Sequence, residues 1–284
     1  SGGTSPYNYL WSNGTTVNPS TTFTAGVWTL TVTDFNSCTV TASYTVNQPT
    51  QLTVTAATSD VQCFGGTDGS ATITATGGSS GYSYTWSAVG SGTSSALPAN
   101  TYTVTVTDVN SCTATVSFSI NQPTALVAVI NTQPADCFGA NTGSATVNTS
   151  GGITPYSYSW SNAGTNTSIQ NLTAGSYSCT VTDGHSCTVS ATAVVTEPTL
   201  LTMTSSATNE SCFHFNDGTA SAVASGGTPV YTYSISLSGS VLESNTTGSF
   251  DSLTAGTYTI TANDAHGCSV TNTITVIAAP EDVY

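Results

Sequence analysis

The stretch LPANTYTVTVTDVNSCTATVSFSI spans residues 97–120 and decides the fold. From Tyr102 to Thr107 large apolar or aromatic residues alternate with threonine, and a similar alternation resumes after the polar segment Asp108 to Cys112. A period of two is typical of antiparallel β-strands with one buried face and one threonine-lined face. The polar segment between the two runs predicts a short turn, so the stretch is predicted to be a β-hairpin.

The turn of this hairpin recurs four times, at intervals of about 75 residues. Its pattern is Asp-x-(Asn/His)-(Ser/Gly)-Cys, and its cysteines, here called the turn cysteines, are Cys38, Cys112, Cys187 and Cys268. A second series, the loop cysteines, begins the motif Cys-Phe-(Gly/His) and keeps the same interval; it comprises Cys63, Cys137 and Cys212. Self-similarity at a fixed period predicts a tandem array of one structural unit.

Short Asn/Thr-(Gln/Glu)-Pro-Thr segments follow the last strand of the first three copies and predict the boundaries between domains. We expect copy one at 1–50, copy two at 51–124, copy three at 125–199, copy four at 200–280 with an insertion near 238–248, and a linker at 281–284. Copy one begins at a Gly-Gly pair, so its first strands and a loop cysteine are expected to be missing, as in a window cut from a longer polypeptide. Strand donation by another chain is an alternative.

Two aromatic positions within each copy predict the kind of sandwich. A Trp follows the Gly-Gly pair at Trp11, Trp86 and Trp160, with Ile235 as the departure. A corner sequence Leu-x-Ala-x-x-Tyr occupies 97–102, 172–177 and 253–258, while Phe23 and Trp28 substitute in copy one. A core Trp on the third strand and a tyrosine at a strand corner are typical of immunoglobulin-like sandwiches. The predicted fold class is therefore all-β, a tandem array of immunoglobulin-like domains of about 75 residues.

The composition excludes several classes of partner. The chain has no Lys or Arg and 14 Asp plus Glu, a formal charge of -14. Nucleic acid is excluded as a partner because phosphate binding relies on basic side chains. The sequence has no run of 18 apolar residues, so membrane insertion is not predicted. Salt bridges to Lys or Arg and Lys-Asn isopeptide bonds are impossible within this chain, which leaves cystine as the obvious cross-link.

The chain has eight cysteines, and seven of them recur at equivalent places, which predicts disulfides in an oxidising compartment. We favour pairing within a copy, and its bonds would be Cys63 with Cys112, Cys137 with Cys187 and Cys212 with Cys268. The alternative joins cysteines across each predicted boundary, namely Cys38 with Cys63, Cys112 with Cys137 and Cys187 with Cys212; spacing alone does not decide. Cys38 is unpaired in the favoured scheme, and Cys179 is predicted to be a free, buried residue because it aligns with inward positions.

No residues form a recognisable catalytic arrangement. His185, His214 and His266 are the only histidines, and no Ser-His-Asp set or paired carboxylates recur, so neither an enzyme nor a cofactor site is predicted. Zinc is disfavoured because no CxxC pair accompanies the cysteines. A calcium hypothesis uses Asp60, Asp68 and Asp108, whose oxygens would suit Ca²⁺ if their loops share one end of the domain.

Four motifs recur in order, at 63–70 (CFGGTDGS), 151–161 (GGITPYSYSWS), 172–177 (LTAGSY) and in the Thr-Val-Thr-Asp-x-x-x-Cys hairpins. The chain resembles the SprB-type repeat region of Bacteroidota cell-surface, gliding-motility-type adhesins. The resemblance implies an exported extracellular protein using type IX secretion, a non-enzymatic adhesive filament shaft, and further repeats of the same longer polypeptide as partners, with self-association into filaments. A glycan-binding module that recognises surface glycans, or a lateral scaffold of an extracellular matrix or sheath, is the alternative.

Overall fold

The structure is a computed structural model that describes residues 2–17, 22–88, 94–212 and 215–280. Every regular element in these ranges is a β-strand, and all the sheets are antiparallel. The chain divides into two compact units: the first comprises Ser1–Val61 and Gly65–Gln122, and the second comprises Gln62–Phe64 and Pro123–Tyr284. The predicted linker 281–284 and His214 lie outside the described residues.

Copy one contributes one three-stranded sheet to the first unit. Its strands, in the order β1-β2-β3, are β1 (Asn8–Trp11), β2 (Gly26–Thr33) and β3 (Thr39–Val46). Trp11 packs on Phe23, with ring centroids 4.7 Å apart, and Phe23 packs on Trp28 at 5.2 Å. The aromatic substitutes in this copy therefore form a small cluster of their own.

Copy two is a complete sandwich of two three-stranded sheets. Its strands are β4 (Thr53–Ser59), β5 (Gly69–Thr76), β6 (Ser83–Trp86), β7 (Ser94–Leu97), β8 (Asn100–Thr107) and β9 (Thr113–Ile120). One sheet has the order β4-β5-β7 and the other β6-β8-β9. Among the described residues, this division corresponds to strands A, B and E on one sheet and C, F and G on the other, as in an immunoglobulin domain.

Copy three repeats this topology in the second unit, with sheets β10-β11-β13 and β12-β14-β15. Its strands are β10 (Val127–Gln133), β11 (Gly143–Ser150), β12 (Ser157–Trp160), β13 (Ser168–Leu172), β14 (Gly175–Thr182) and β15 (Thr188–Val195). The register places Trp160 opposite Cys179 and Tyr158 opposite Val181. Alternate residues of neighbouring strands therefore point together into the space between the sheets.

Copy four differs by one added strand. Its strands are β16 (Thr202–Thr208), β17 (Gly218–Ser225), β18 (Thr232–Leu237), β19 (Ser240–Asn245), β20 (Ser249–Leu253), β21 (Gly256–Asn263) and β22 (Ser269–Val276). The insertion predicted near 238–248 forms β19, which pairs with β18 at the edge of the sheet β19-β18-β21-β22. Variable-type immunoglobulin domains extend the same sheet in this position.

Apolar side chains from both sheets fill each sandwich. In copy three the buried cluster joins Val147 and Ile169 of one sheet to Trp160, Val181 and Val195 of the other. Trp160 is only 3% exposed, so the predicted core Trp is found there. Ile235, which replaces the Trp in copy four, is fully buried in the corresponding cluster.

A tyrosine corner begins strand F in each complete copy. The Tyr102 hydroxyl donates to the Pro98 carbonyl at 2.9 Å, Tyr177 to Thr173 at 3.0 Å and Tyr258 to Thr254 at 2.8 Å. In copy one the indole Nε1 of Trp28 donates to the Thr24 carbonyl at 2.8 Å. Trp28 therefore replaces both the ring and the hydrogen bond of the tyrosine.

The Tyr258→Phe substitution tests this corner. Tyr258 is 1% exposed, so the substitution leaves the ring in place but removes the hydroxyl that donates to the Thr254 carbonyl. We expect the free energy of unfolding to fall by about 1 kcal/mol, measured by urea denaturation. Tyr44→Phe is the control, because Tyr44 is 67% exposed. Equal effects of the two substitutions would argue against a structural role for the corner bond.

The prediction of an all-β fold built from tandem immunoglobulin-like domains is confirmed by the strand order, the paired sheets and the tyrosine corners. The proposed boundaries after residues 50, 124 and 199 stay a prediction.

Candidate functional site

The repeated Asp-x-x-x-Cys segment is a tight turn between strands F and G. In copy three the Asp183 N–H donates to the Cys187 carbonyl at 2.9 Å, and the Ser186 N–H donates to the Asp183 carbonyl at 3.0 Å. Ser186 has a φ of 66°, and Gly267 has 80° at the same place in copy four. This left-handed position accounts for the Ser or Gly that precedes each turn cysteine.

The Asp of the turn also holds the Gly-Gly segment. Oδ1 of Asp183 accepts the N–H groups of His185 and Cys187, both at 2.9 Å, and Oδ2 accepts the N–H of Ile153 at 2.9 Å. Asp183 is 5% exposed. Asp108 and Asp264 make the same three kinds of contact in copies two and four, and in copy one Asp34 binds the N–H groups of Thr4 and Cys38.

A second tyrosine fastens the Gly-Gly segment from the other side. The Tyr156 hydroxyl donates to the Gly151 carbonyl at 2.6 Å, and the equivalent bonds are made by Tyr7, Tyr82 and Tyr231. The Gly152 N–H in turn donates to the Thr124 carbonyl at 2.9 Å. Each Gly-Gly segment of copies two to four therefore lies between a turn Asp, a tyrosine and the Pro-Thr segment that opens its copy.

The hydrogen bonds to these carboxylates set their protonation. Donation from the Ile153 N–H holds the pKa of Asp183 below its ordinary value of 3.8, and the Ser79 N–H does the same for Asp108. For Asp264, burial is the largest single influence and raises the pKa, but the N–H groups of Thr228, Cys268 and His266 outweigh it. The net pKa is lowered in each case because the bonds favour the charged form.

These shifts predict acid sensitivity. A lowered pKa in the folded state means that the charged carboxylate stabilises the fold above the unfolded value of 3.8, and that this contribution is lost as the pH falls through the folded pKa. We expect a constant melting temperature between about pH 7 and pH 5 and a fall below about pH 4. Asp183→Asn should lower the melting temperature at neutral pH, whereas Asp251→Asn, at an exposed site, should not. A flat profile in strong acid would contradict the role of these carboxylates.

The disulfides differ from both predicted schemes. Cys63 is bonded to Cys187, with the two Cα atoms 5.7 Å apart, and Cys137 is bonded to Cys268, also with 5.7 Å between Cα atoms. All four residues belong to the second unit. The favoured pairs Cys63 with Cys112, Cys137 with Cys187 and Cys212 with Cys268 are therefore wrong, and so is the alternative across each boundary. A loop cysteine is instead bonded to the turn cysteine of the following copy.

Strand topology explains the correction. In copy two the A–B loop holds Cys63, and the Asn121 N–H at the end of β9 donates to Asp60 Oδ1 in that loop at 2.8 Å. Cys112 lies immediately before the first residue of β9. This strand has 8 residues and spans roughly 26 Å, so Cys112 is at the opposite end of β9 from Asn121. The loop and the turn of one sandwich thus lie at opposite ends. A disulfide requires Cα atoms within about 7 Å, so each loop cysteine must find its partner in another copy.

The loop that carries each bonded cysteine is held by the residue before a boundary proline. Oε2 of Glu197 accepts the Gly139 N–H at 2.6 Å, and Oε1 of Gln122 accepts the Gly65 N–H at 2.6 Å. The backbone carbonyl of Thr196 also accepts the Ala135 N–H at 2.8 Å. The (Gln/Glu)-Pro segments therefore fix the cysteine loop as well as marking the end of a copy.

A histidine accompanies each disulfide. Nδ1 of His266 lies 3.3 Å from the Asp136 carbonyl oxygen, beside the Cys137–Cys268 bond. Nδ1 of His185 lies 3.2 Å from the Gln62 carbonyl oxygen, beside the other bond. Since a carbonyl only accepts, these contacts require a proton on Nδ1. The two histidines are thus placed as donors at the cross-links.

The calcium candidates do not converge. Asp60 accepts the Asn121 N–H at the A–B end of copy two, whereas Asp108 lies in the F–G turn at the opposite end. The position of Asp68 is occupied in copy three by Thr142, whose hydroxyl accepts the Asp136 N–H at 2.8 Å. Within 2–17, 22–88, 94–212 and 215–280, no three His, Cys, Asp or Glu side chains are grouped as a metal site would need. Asp60 and Asp108 instead cap a loop and a turn through hydrogen bonds from backbone N–H groups.

Four cysteines carry no disulfide. Cys179 is fully buried in the core of copy three, where burial raises the pKa of its thiol; the structure thus places it as the sequence predicted. Cys38, Cys112 and Cys212 are exposed, and each occupies a turn or loop position that is bonded in another copy. Cys112 and Cys212 were predicted to be paired.

The family model of the SprB repeat matches residues 55–91, 129–165 and 204–239. The chain carries three SprB repeats. Each matched segment begins within strand A and contains the loop cysteine, while the turn cysteines lie beyond the matched residues. No curated protein matches the chain.

The solved structures to which this chain is similar include proteins with several immunoglobulin domains. A structure titled "Structural basis for Dscam isoform specificity" covers 96% of this chain and 91% of its own, with 13% identity and a TM-score of 0.26. DIP-gamma IG1+IG2 covers 55% and 97%, with 15% identity and a TM-score of 0.29. Drosophila OTK extracellular domains 3–5 cover 70% and 86%, with 13% identity and a TM-score of 0.31.

The SprB repeats, the immunoglobulin-like sandwiches and the disulfides together indicate an extracellular protein. In the described part of the chain, no helix has the length and apolar character needed to cross a membrane.

Proposed function

We propose that this SprB-repeat segment is a non-enzymatic shaft of an extracellular surface filament that mediates adhesion. The observation that carries the proposal is the disulfide between the loop of one copy and the turn of the next, seen at Cys137–Cys268 and again at Cys63–Cys187. A bond of this kind ties successive copies together without adding a binding surface. A disulfide between successive copies suits a chain that transmits tension from one end to the other.

The Thr and Ser hydroxyls on the outer face of strands F and G favour a structural role over glycan binding. On strands F and G of copy two, Thr103 Oγ1 lies 2.8 Å from Ser117 Oγ and Thr101 Oγ1 lies 3.2 Å from Ser119 Oγ. Thr180 and Ser190 make the same contact in copy three at 2.9 Å. These hydroxyls hydrogen-bond one another across the strands, as side chains do on an exposed face of a sheet.

Further SprB repeats of a longer polypeptide are the partners that the shaft requires, and self-association of shafts is a second part of the proposal. Export by type IX secretion and participation in gliding follow from the family resemblance and belong to the proposal at the level of the whole adhesin. The alternative functions are a glycan-binding module and a lateral scaffold of an extracellular matrix or sheath.

Immunogold electron microscopy of intact cells, with an antibody raised against residues 125–199, tests the shaft. Label on single threads that stand off the envelope is expected. Label confined to a continuous coat would favour the lateral scaffold and would contradict the proposal of a filament shaft. A glycan array probed with the 284-residue chain separates the remaining alternative, because saturable binding would identify a glycan-binding module.

A further inference from the structure

The histidines of this chain all lie next to its turn and loop cysteines. Each histidine is two residues from such a cysteine, and the pairs are His185 with Cys187, His266 with Cys268 and His214 with Cys212. Because the chain has no Lys or Arg, histidine is its only side chain that can become a cation. The positive charge that side chains can supply is therefore concentrated at the cysteines that make the cross-links.

At the Cys137–Cys268 disulfide, an imidazole and a sulfur meet at one backbone oxygen. Nδ1 of His266 lies 3.3 Å from the Asp136 carbonyl oxygen, and Sγ of Cys268 also lies 3.3 Å from that oxygen. The ring nitrogen and the sulfur are therefore no farther apart than the sum of these two distances. A proton on the imidazole thus places a positive charge beside the turn cysteine.

The same arrangement is found at the other disulfide. Nδ1 of His185 lies 3.2 Å from the Gln62 carbonyl oxygen, and Sγ of Cys187 lies 3.6 Å from it. Both histidines are exposed and all four bonded cysteines are half-buried, so a small thiol has access to the sulfurs. Since the geometry occurs twice, it belongs to the joint between successive SprB repeats and not to one loop.

The other groups around each imidazole keep their charge near neutral pH. They are Asp183 and Gln62 at His185, and Asp264, Thr228 and Asp136 at His266. The pKa of Asp183 and that of Asp264 are below the ordinary value of 3.8, so both carboxylates stay charged from pH 5 to pH 8. Histidine is the side chain that changes charge in this range.

We propose that each disulfide between successive SprB repeats is a site of histidine-assisted thiol–disulfide exchange, at which a small thiol attacks the loop cysteine and the turn cysteine leaves. At one joint, the attacking thiolate bonds to Sγ of Cys137, the Cys137–Cys268 bond breaks, and its electron pair passes to Sγ of Cys268. The small thiol is oxidised into a mixed disulfide, and Cys268 is reduced to a thiolate. The imidazolium of His266 stabilises this thiolate, and a stabilised thiolate leaves faster.

The direction of the attack follows from the position of the imidazole. The histidine is two residues from the turn cysteine, whereas the loop cysteine belongs to a different copy. Protonation therefore favours departure of the turn cysteine and attack at the loop cysteine. This chemistry goes beyond the shaft function and holds equally in a scaffold, because it uses only the joints between SprB repeats.

The test follows the opening of each bond in the 284-residue chain between pH 5 and pH 8. The exposed free thiols of Cys38, Cys112 and Cys212 are first blocked with N-ethylmaleimide. Trifluoroethanethiol, a neutral thiol acidic enough to supply thiolate at pH 5, then opens the disulfides, and acid quenching, peptic digestion and mass spectrometry locate the adducts. We expect the rate constant per thiolate to rise about threefold or more from pH 8 to pH 5 at both bonds, with adducts on Cys63 and Cys137.

The matched variants are His266→Asn and His185→Asn. Asparagine occupies this turn position in copies one and two, where Asn110 Nδ2 donates to Ser79 Oγ at 2.7 Å. The turn therefore accepts Asn, which keeps an N–H donor but carries no charge. Each variant should lose the rise in acid at its own disulfide and keep it at the other, so each molecule contains its own control.

Several results would overturn the exchange site. A rate constant per thiolate that is flat or falls from pH 8 to pH 5 in the parent chain would do so without any variant. Adducts mainly on Cys187 and Cys268 would contradict the direction of attack. A rise that persists at the substituted joint, or that disappears from both joints in a single variant, would show that the local imidazolium is not the cause.

Discussion

The chain with Cys137→Ser is expected to lose about 4 to 5 kcal/mol of the free energy of unfolding of its second unit. The Cys137–Cys268 bond closes a loop of 131 residues, and a cross-link of that span removes this much chain entropy from the unfolded state. The side chain itself is a minor part of the effect, because it lies in a loop outside the buried clusters. Guanidinium denaturation of the oxidised proteins measures the difference.

The matched control is Cys212→Ser. Cys212 occupies the same loop position in copy four but has no disulfide partner, so its replacement should change the stability by less than about 0.5 kcal/mol. The double variant Cys137→Ser/Cys268→Ser should resemble the single variant, because the cross-link is lost once. A parent-like denaturation curve for Cys137→Ser, or an equal loss in Cys212→Ser, would contradict the pairing between copies.

Replacing Gly151 with alanine is expected to lower the free energy of unfolding by about 3 kcal/mol or more. Gly151 has a φ of +73°, and a Cβ there would lie 1.9 Å from the Ala125 carbonyl oxygen. The obstacle is backbone, which a rotamer change cannot remove. Relief would require the Pro-Thr segment to move away and break the Gly152–Thr124 hydrogen bond.

Two other glycines of copy three separate the clash from the backbone conformation. Gly139 has a φ of +71° with open space around its Cβ position, so Gly139→Ala should cost only the left-handed penalty of about 1 kcal/mol. Gly175 has only the Tyr177 ring near, at 3.8 Å, and Gly175→Ala should be within about 0.5 kcal/mol of the parent. Hydrogen exchange of β14 and β15 reports the stability of this copy. Equal costs for Gly139→Ala and Gly151→Ala would show that the close approach is relaxed.

The strands and the corners could be predicted because their signals are local. Alternation from Tyr102 to Thr107 fixes the faces of one strand, and the corner tyrosines act within four residues of their acceptors. The left-handed Ser186 was harder to recognise, since Ser seldom adopts such a φ. Gly267 at the same position in copy four was the available signal.

The disulfides could not be predicted from spacing, because spacing measures distance along the chain and the bond requires proximity across it. The predicted immunoglobulin topology contained the missing information: an A–B loop and an F–G turn occupy opposite ends of one sandwich. Applied to Cys63 and Cys112, it excludes the favoured pair.

The calcium hypothesis was wrong about proximity for the same reason, as Asp60 and Asp108 belong to those opposite ends. The role of Tyr156 was missed although Gly-Gly-x-x-x-Tyr recurs in all four copies, because a side chain bonded to a backbone carbonyl leaves no charge or periodicity to notice. The clamp of Glu197 on Gly139 joins residues 58 positions apart and had no local signal at all.

The two disulfides interlace along the chain, because Cys137 lies inside the loop closed by Cys63 and Cys187, and Cys187 lies inside the loop closed by Cys137 and Cys268. The shortest covalent route from end to end runs to Cys63, crosses to Cys187, returns to Cys137 and crosses again to Cys268. It uses fewer than half of the 284 residues. Under tension, an oxidised chain with every strand undone could therefore reach only about half the contour length of the reduced chain, so oxidation turns an extensible tether into a short one.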